Sequence, residues 1–237
     1  MNERVLSYHT QDGSLICGGA DSSHATSCSK WNSDSGTWNW KFVNLPRIRT
    51  GHSSWTPQSG VGTYLMGGSA DSWKTNLVKP DGRVELYGFN LHESTYSACS
   101  ITIPEDDEVI LTGGTRTKHT VAVYNVKKWQ RNLPTLLTGR HNHGCTSFMS
   151  GNKRVDVDMF MSLVIFHVYK TLTLSPFQFL LVSGGSGVDT TEIYDGSTWT
   201  NVGSLPSALA YLKIINIDNR ILSFGIYIYR YKDLLLL

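Results

Sequence analysis

The sequence predicts an all-β protein made of repeated four-stranded sheets. The chain has 237 residues, of which 40% are hydrophobic and only 17% are charged, whereas about 25% is usual for charged residues in globular domains. The 22 glycines, seven tryptophans and eleven tyrosines favour short strands joined by many turns. No segment shows a sustained helical period. This composition argues against a disordered tail, a coiled coil and a collagen.

An apolar run followed by two glycines occurs four times, and this repeat defines the expected sheets. The intervals between the first glycines of successive pairs are 49, 46 and 71 residues. A partial fifth copy ends at Gly225, 41 residues after the fourth. Four strands in about 46 residues is the content of one propeller blade. The pairs are Gly18-Gly19, Gly67-Gly68, Gly113-Gly114 and Gly184-Gly185.

Aromatic residues follow three of the four glycine pairs at matching positions. A tyrosine or tryptophan is expected to close the third strand of each sheet, and a second aromatic residue lies in the fourth strand. We expect the side-chain-free glycine backbone to let these rings lie directly against it. The second copy has only Val78 and Val84 at these positions. The aromatic positions are Trp31 and Trp38 in the first copy, Tyr124 and Trp129 in the third, and Tyr194 and Trp199 in the fourth.

This pattern resembles the kelch repeat, in which the apolar run, Gly-Gly and aromatic positions are followed by Arg-x-x-His before the next blade. Arg49-x-x-His52 and Arg140-x-x-His143 match that last motif. The resemblance covers residues 5–225 and implies a single kelch-type β-propeller domain over residues 1–237, as in the BTB-kelch adaptor family. It implies about 4 to 5 four-stranded blades in an incomplete propeller. The expected repeats span residues 5–44, 45–89, 90–132, 133–203 and 204–237, the last being partial.

The 71-residue interval holds about 26 residues more than the other repeats need. We place this insertion at approximately residues 155–179, in a segment rich in Phe, Leu, Ile and Val without alternation. One interpretation is translated non-coding sequence, and the other is a hydrophobic insertion that covers an open sheet edge. Residues 226–237 also carry no kelch landmark, so the fifth repeat is expected to be cut short.

The motifs for catalysis and metal binding give no convincing site. His141-x-His143 has a metal-ligand spacing, but no third ligand is suggested nearby, and zinc or copper sites need at least three. No phosphate-binding glycine loop or nucleophile elbow is present. Asp106-Asp107-Glu108 is expected to form a solvated hairpin tip rather than a catalytic carboxylate pair. We therefore expect no catalytic residue, metal or cofactor, the alternative being an oxidase-like or sugar-active enzyme on a kelch-type propeller.

Charge, hydropathy and cysteine content indicate the class of partner and the cellular location. The net charge of +2 provides no strong field for nucleic acid or an anionic membrane. Residues 159–182 are apolar but are interrupted by Lys170 and Pro176, so no membrane span is expected. No secretory signal is visible at the start, which favours a cytoplasmic location. The four cysteines are expected to be reduced core residues: Cys17, Cys28, Cys99 and Cys145.

The resemblance implies that loops from several blades gather on one face and bind a partner. Arginine and tryptophan are frequent interface hot spots, and an acidic protein or peptide is the partner that such a face would suit. The implied function is a non-catalytic protein–protein interaction module, either the substrate-recognition part of a ubiquitin-ligase adaptor or an actin-binding or scaffold protein. For Arg49 and Arg140, which repeat the kelch motif, a structural role is the alternative. The candidate residues are Arg47, Arg49, Trp73, Lys74, Arg116, Lys118, His119, Arg140 and His141.

Overall fold

The computed structural model describes residues 6–10, 13–19, 26–69, 72–91, 93–103, 107–125, 129–149, 153–160, 163–170, 178–217 and 220–224. These residues form twenty β-strands, and the strands form five four-stranded sheets. The prediction of an all-β fold with repeated four-stranded antiparallel sheets is confirmed. Among the described residues, no helix has the length and apolar character needed to cross a membrane.

The first three sheets are each built from consecutive strands in an up-and-down order. The first sheet contains β1 (Leu6–Thr10), β2 (Gly13–Cys17), β3 (Ser27–Asn32) and β4 (Thr37–Asn44). The second contains β5 (Ser53–Trp55), β6 (Thr63–Met66), β7 (Lys74–Val78) and β8 (Val84–Asn90). The third contains β9 (Cys99–Ile103), β10 (Glu108–Thr112), β11 (Val121–Asn125) and β12 (Trp129–Asn132). This order is that of propeller blades.

The last two sheets are interleaved in the chain. The fourth sheet has the strand order β13-β16-β17-β18 and the fifth has the order β14-β15-β20-β19. The strands of the fourth are β13 (Gly144–Met149), β16 (Gln178–Ser183), β17 (Thr190–Tyr194) and β18 (Trp199–Ser204). Those of the fifth are β14 (Lys153–Phe160), β15 (Leu163–Lys170), β19 (Lys213–Ile217) and β20 (Arg220–Phe224).

The insertion supplies half of the fifth sheet. Its hairpin β14–β15 is paired from Lys153 opposite Lys170 to Phe160 opposite Leu163, and β15 pairs antiparallel with β20. The hairpin therefore takes the two strand positions that would follow β20 in a regular blade, and it covers the edge of β20. This pairing is the arrangement expected of an insertion that covers an open sheet edge, and it does not test the interpretation as non-coding sequence. The fifth sheet has four strands, whereas the fifth repeat was expected to be partial. Gly225 and residues 226–237 lie outside the described residues.

The chain divides into two compact units, residues 1–141 with 197–199, and residues 142–196 with 200–237. In the first unit, one apolar cluster joins the first and second sheets and another joins the second and third. In the second unit, one cluster joins the fourth and fifth sheets. The central strands β6 and β10 are buried along almost their whole length, because each packs on both faces. Among the most buried side chains of these clusters are Cys17, Leu65, Met66, Val109, Leu181 and Ile221.

The aromatic landmarks lie on the third and fourth strands, as the repeat predicted. Their environments differ, because the first sheet leaves its aromatic pair partly accessible whereas the described aromatic side chains of the third and fourth sheets are buried. Tyr124, Tyr194 and Trp199 are buried, and Trp31 and Trp38 are partly buried. Trp129 begins β12, and its side chain lies outside the described part of the chain.

The glycine pairs end the second strand of a sheet where backbone from the next interblade linker comes very close. A Cβ built on Gly18 would lie 2.1 Å from the carbonyl oxygen of Arg49, and one on Gly67 would lie 2.4 Å from that of Thr95. Both glycines have positive φ, +68° and +69°, a conformation that other residues adopt only with strain. At Gly18 and Gly67, linker carbonyl groups therefore occupy the space that a side chain would take.

The cysteine prediction is wrong. Cys17 and Cys28 are joined by a disulfide, because the pairing of β2 with β3 places them directly opposite each other. Both are fully buried. Cys99 and Cys145 are disulfide-bonded as well, so none of the cysteines in the described residues is a free thiol.

Replacing Gly67 with alanine should lower the free energy of unfolding by more than about 2 kcal/mol, because a Cβ adds a backbone clash to the strain of positive φ. Gly36→Ala is the matched control, since Gly36 has φ +62° but no atom within 4 Å of the added Cβ. We expect that control to lose only about 1 kcal/mol. Urea unfolding of both variants measures the difference, and equal losses would show that the linker contact contributes nothing.

Candidate functional site

The loops of the first three sheets are held together at one end of the first unit. The Ser69 amide in the β6–β7 loop donates to the Thr50 carbonyl in the β4–β5 linker at 3.0 Å. The Thr115 amide in the β10–β11 loop donates to the Tyr96 carbonyl in the β8–β9 linker at 2.7 Å. The β4–β5 and β8–β9 linkers are thereby fixed to the loops of the second and third sheets, respectively.

Arg49 lies inside this end of the unit and not on its surface. Its side chain is only 1% exposed. The Nη1 group donates to the Gly67 carbonyl, and the Nη2 group donates to Oδ1 of Asn76. Nη1 also lies 3.4 Å from the Lys74 carbonyl oxygen. The guanidinium group therefore supplies the donors that the end of the second sheet needs.

Arg140 is buried in the same way, with 0% exposure. Its Nε donates to the Thr138 carbonyl at 3.3 Å. Its main chain accepts from the Gly114 amide at 2.9 Å and donates to the Lys118 carbonyl at 2.9 Å. The assignment of Arg49 and Arg140 to a partner-binding surface is therefore corrected: their guanidinium groups point to backbone carbonyls inside the protein and are inaccessible to a partner.

The other predicted residues remain accessible and form what we call the loop face. Trp73 is 47% exposed, and the Lys74 ammonium group lies 5.1 Å from its ring centroid, within the range of a cation–π contact. The loop face contains four arginine and lysine side chains, whereas Glu93 is a carboxylate in the neighbouring β8–β9 linker. The loop face consists of Arg47, Trp73, Lys74, Arg116, Lys118, His119 and His141, of which Lys74 and His141 are partly buried.

His119 is held in a defined orientation on the loop face. Its Nδ1 lies 2.9 Å from the Leu136 carbonyl oxygen, so in the neutral imidazole Nδ1 carries the proton and Nε2 is the acceptor. A Cβ built on Gly139 would lie 2.6 Å from His119 Nε2. The β12–β13 linker thus packs directly against the imidazole, and the glycine makes this approach sterically feasible.

The carboxylates of the acidic motif that the structure describes form local hydrogen bonds. Asp107 accepts a hydrogen bond from the Gln58 amide at 2.8 Å, and Asn125 Nδ2 lies 3.4 Å from Glu108 Oε1, at the turn before β10; Asp106 lies outside the described residues. No group of three His, Cys, Asp or Glu side chains within the described ranges is placed to hold a metal ion. A cleft of about 520 Å³ between β4 and β8 has a mixed polar and apolar lining, which includes the charged side chain of Lys41.

The structure also shows an aromatic residue that the sequence analysis did not single out. Trp40 is 69% exposed on β4, two positions beyond Trp38. The signal was available in the sequence, because residues two apart on a strand share a face and Trp38 already marked one face of the strand.

The fold class is that of a kelch-type β-propeller, and the comparisons with known proteins agree with it. One solved structure that it resembles is that of YjhT, with a TM-score of 0.62 and 13% identity. The alignment covers 91% of this chain and 74% of YjhT. No protein-family model matches the chain, and no curated protein matches it. At this low identity, the likeness to YjhT shows the fold alone.

Replacing Arg49 with methionine should lower the free energy of unfolding by about 2 to 4 kcal/mol, because buried carbonyl and amide oxygens lose their donor. Arg47→Met is the matched control, since it removes the same charge from an exposed position two residues away. We expect the control to change stability by less than about 0.5 kcal/mol. Chemical denaturation of the two variants provides the comparison. A stable Arg49→Met protein would contradict the structural role of the guanidinium group.

Proposed function

We propose that this protein is a non-catalytic protein-binding module that recognises an acidic peptide or protein segment with its loop face. The observation that supports this proposal is the set of accessible cationic side chains on linkers and loops that backbone hydrogen bonds hold together at one end of the first unit. Arg47 precedes the second sheet, and Arg116 and Lys118 lie in the β10–β11 loop of the third.

The chemistry of the loop face suits such a partner. Arginine can donate two parallel hydrogen bonds to one carboxylate, and a partly exposed tryptophan offers a large apolar area at the centre of an interface. The loops are fixed to one another by backbone hydrogen bonds, so less conformational entropy is lost on binding. These properties support recognition of carboxylate-bearing side chains flanking an apolar residue.

The cellular compartment restricts which binding role the protein can have. Resemblance to BTB-kelch adaptors suggests substrate recognition for a ubiquitin ligase, or binding of actin or a scaffold protein, and these roles place the protein in the cytoplasm. Buried disulfides count against that location, because glutathione and thioredoxin keep cytosolic thiols reduced. We therefore propose that the protein is located in an oxidising compartment. In that location it is not part of a cytosolic ubiquitin ligase.

Reversing the charge of Arg116 and Lys118 together, as Arg116→Glu/Lys118→Glu, should weaken binding of a fluorescein-labelled peptide rich in Asp and Glu by at least about tenfold. Binding to the wild-type protein should also weaken as salt is raised, because exposed charges are screened. Fluorescence anisotropy measures both effects.

The matched control is Lys79→Glu/Arg83→Glu, which changes the net charge equally at the β7–β8 turn, away from the loop face. We expect this control to bind the acidic peptide like the wild type. If both double variants lose affinity equally, overall charge rather than the loop face attracts the peptide. Absence of saturable binding to the wild type would overturn the proposal.

Mass spectrometry of protein purified from its native source should show the Cys17–Cys28 disulfide. Trypsin leaves both cysteines in one peptide, residues 5–30, so alkylation before digestion should add no adduct to it. Treatment with a reductant before alkylation should add two adducts and provides the positive control. A doubly alkylated peptide without reductant would instead place the native protein in a reducing compartment.

A further inference from the structure

The first sheet carries a row of three tryptophans that is separate from the loop face. Trp31 on β3 lies opposite Trp38 on β4, with ring centroids 5.5 Å apart. Trp40 continues the row on the same face of β4, with its centroid 5.9 Å from that of Trp38. The row ends in solvent, since Trp40 is 69% exposed. An aromatic surface that begins in the sheet and ends in water is typical of an interaction site.

The fourth sheet shows what covers a tryptophan at the corresponding repeat position. Trp199 takes the position that Trp38 takes in the first sheet, but it is only 5% exposed. Its indole Nε1 donates to the carbonyl oxygen of Pro134 at 2.8 Å. Pro134 belongs to a Leu-Pro segment between β12 and β13, and the adjacent Leu133 amide is bonded to the Val121 carbonyl at 2.9 Å. A proline-containing segment outside the strands is therefore a demonstrated partner for an indole in this protein.

We propose that the tryptophan row, Trp31, Trp38 and Trp40, is a docking site for an extended Leu-Pro segment of another protein. Proline rings have no amide donor to desolvate and pack flat against indole rings, and the carbonyl before or at proline can accept an indole N–H bond. Extended proline-containing segments are already partly ordered when unbound, so binding to aromatic grooves costs them little entropy. The first sheet presents three adjacent rings, which gives room for the proline and for the apolar residue beside it.

The probe for this site is a fluorescein-labelled peptide with the sequence of residues 130–136, Gln-Arg-Asn-Leu-Pro-Thr-Leu, in which the Pro134 carbonyl is the acceptor of the Trp199 indole hydrogen bond. We expect saturable binding to the wild type. Trp40→Ala should weaken this binding by about tenfold, and a peptide with alanine in place of both leucine 133 and proline 134 should bind at least as weakly. Because the Trp40 side chain is mostly exposed, the variant should keep the wild-type thermal midpoint.

Trp73→Ala is the matched control, since it removes a second exposed tryptophan from the loop face, and it should bind the Leu-Pro peptide normally. Equal losses in Trp40→Ala and Trp73→Ala would mean nonspecific adhesion and would overturn the proposal, as would the absence of saturable binding to the wild type. Sedimentation velocity tests whether a second copy of the chain binds the tryptophan row instead. A wild-type dimer that Trp40→Ala converts to monomer would assign the row to that second copy and overturn the proposal. If Trp40→Ala binds the acidic peptide as the wild type does, the tryptophan row and the loop face are separate sites.

Discussion

The close contact between a glycine pair and the following interblade linker is the interaction on which the rest of the structure depends. At Gly18 the Arg49 carbonyl occupies the space of a side chain, while the Arg49 guanidinium group bonds to the Gly67 carbonyl at the end of the next sheet. One residue thus joins the first sheet through its backbone and the second through its side chain. A buried guanidinium is favourable here because strand ends supply carbonyl acceptors that would otherwise be buried without donors.

The same contact explains why the loops can present a defined surface. The linker that buries Arg49 leaves Arg47 exposed, so one segment serves both the interior and the loop face. At the third sheet, the Arg140 amide bonds to the Lys118 carbonyl, and the linker before it packs on His119. The cationic side chains therefore project from backbone that is already ordered, which reduces the entropy that binding must overcome.

The sheets could be predicted from sequence because each glycine pair marks a strand end that only glycine can occupy, and these marks recur at a nearly constant interval. The burial of Arg49 and Arg140 could not, since charge usually indicates the surface and the acceptors come from other parts of the chain. Cys17 and Cys28 gave no disulfide signal because their spacing fits no motif, and only the register of β2 and β3 makes them opposite. The pairing of β15 with β20 joins segments far apart in the sequence, and no local pattern encodes such a contact.

Repetition also identifies positions where the sheets differ, and these differences carry information about binding. Trp199 and Trp38 occupy equivalent positions, but among the contacts that the structure describes only Trp199 is hydrogen-bonded to a linker, whereas Trp38 packs on Trp31. Strand geometry places the two indoles at equivalent positions of their sheets, and both carry an Nε1 donor. The buried copy therefore defines the chemistry that the accessible copy can accept, an extended apolar segment with a carbonyl group beside an indole N–H. The fold thus provides a binding mode at the first sheet that it already uses internally at the fourth.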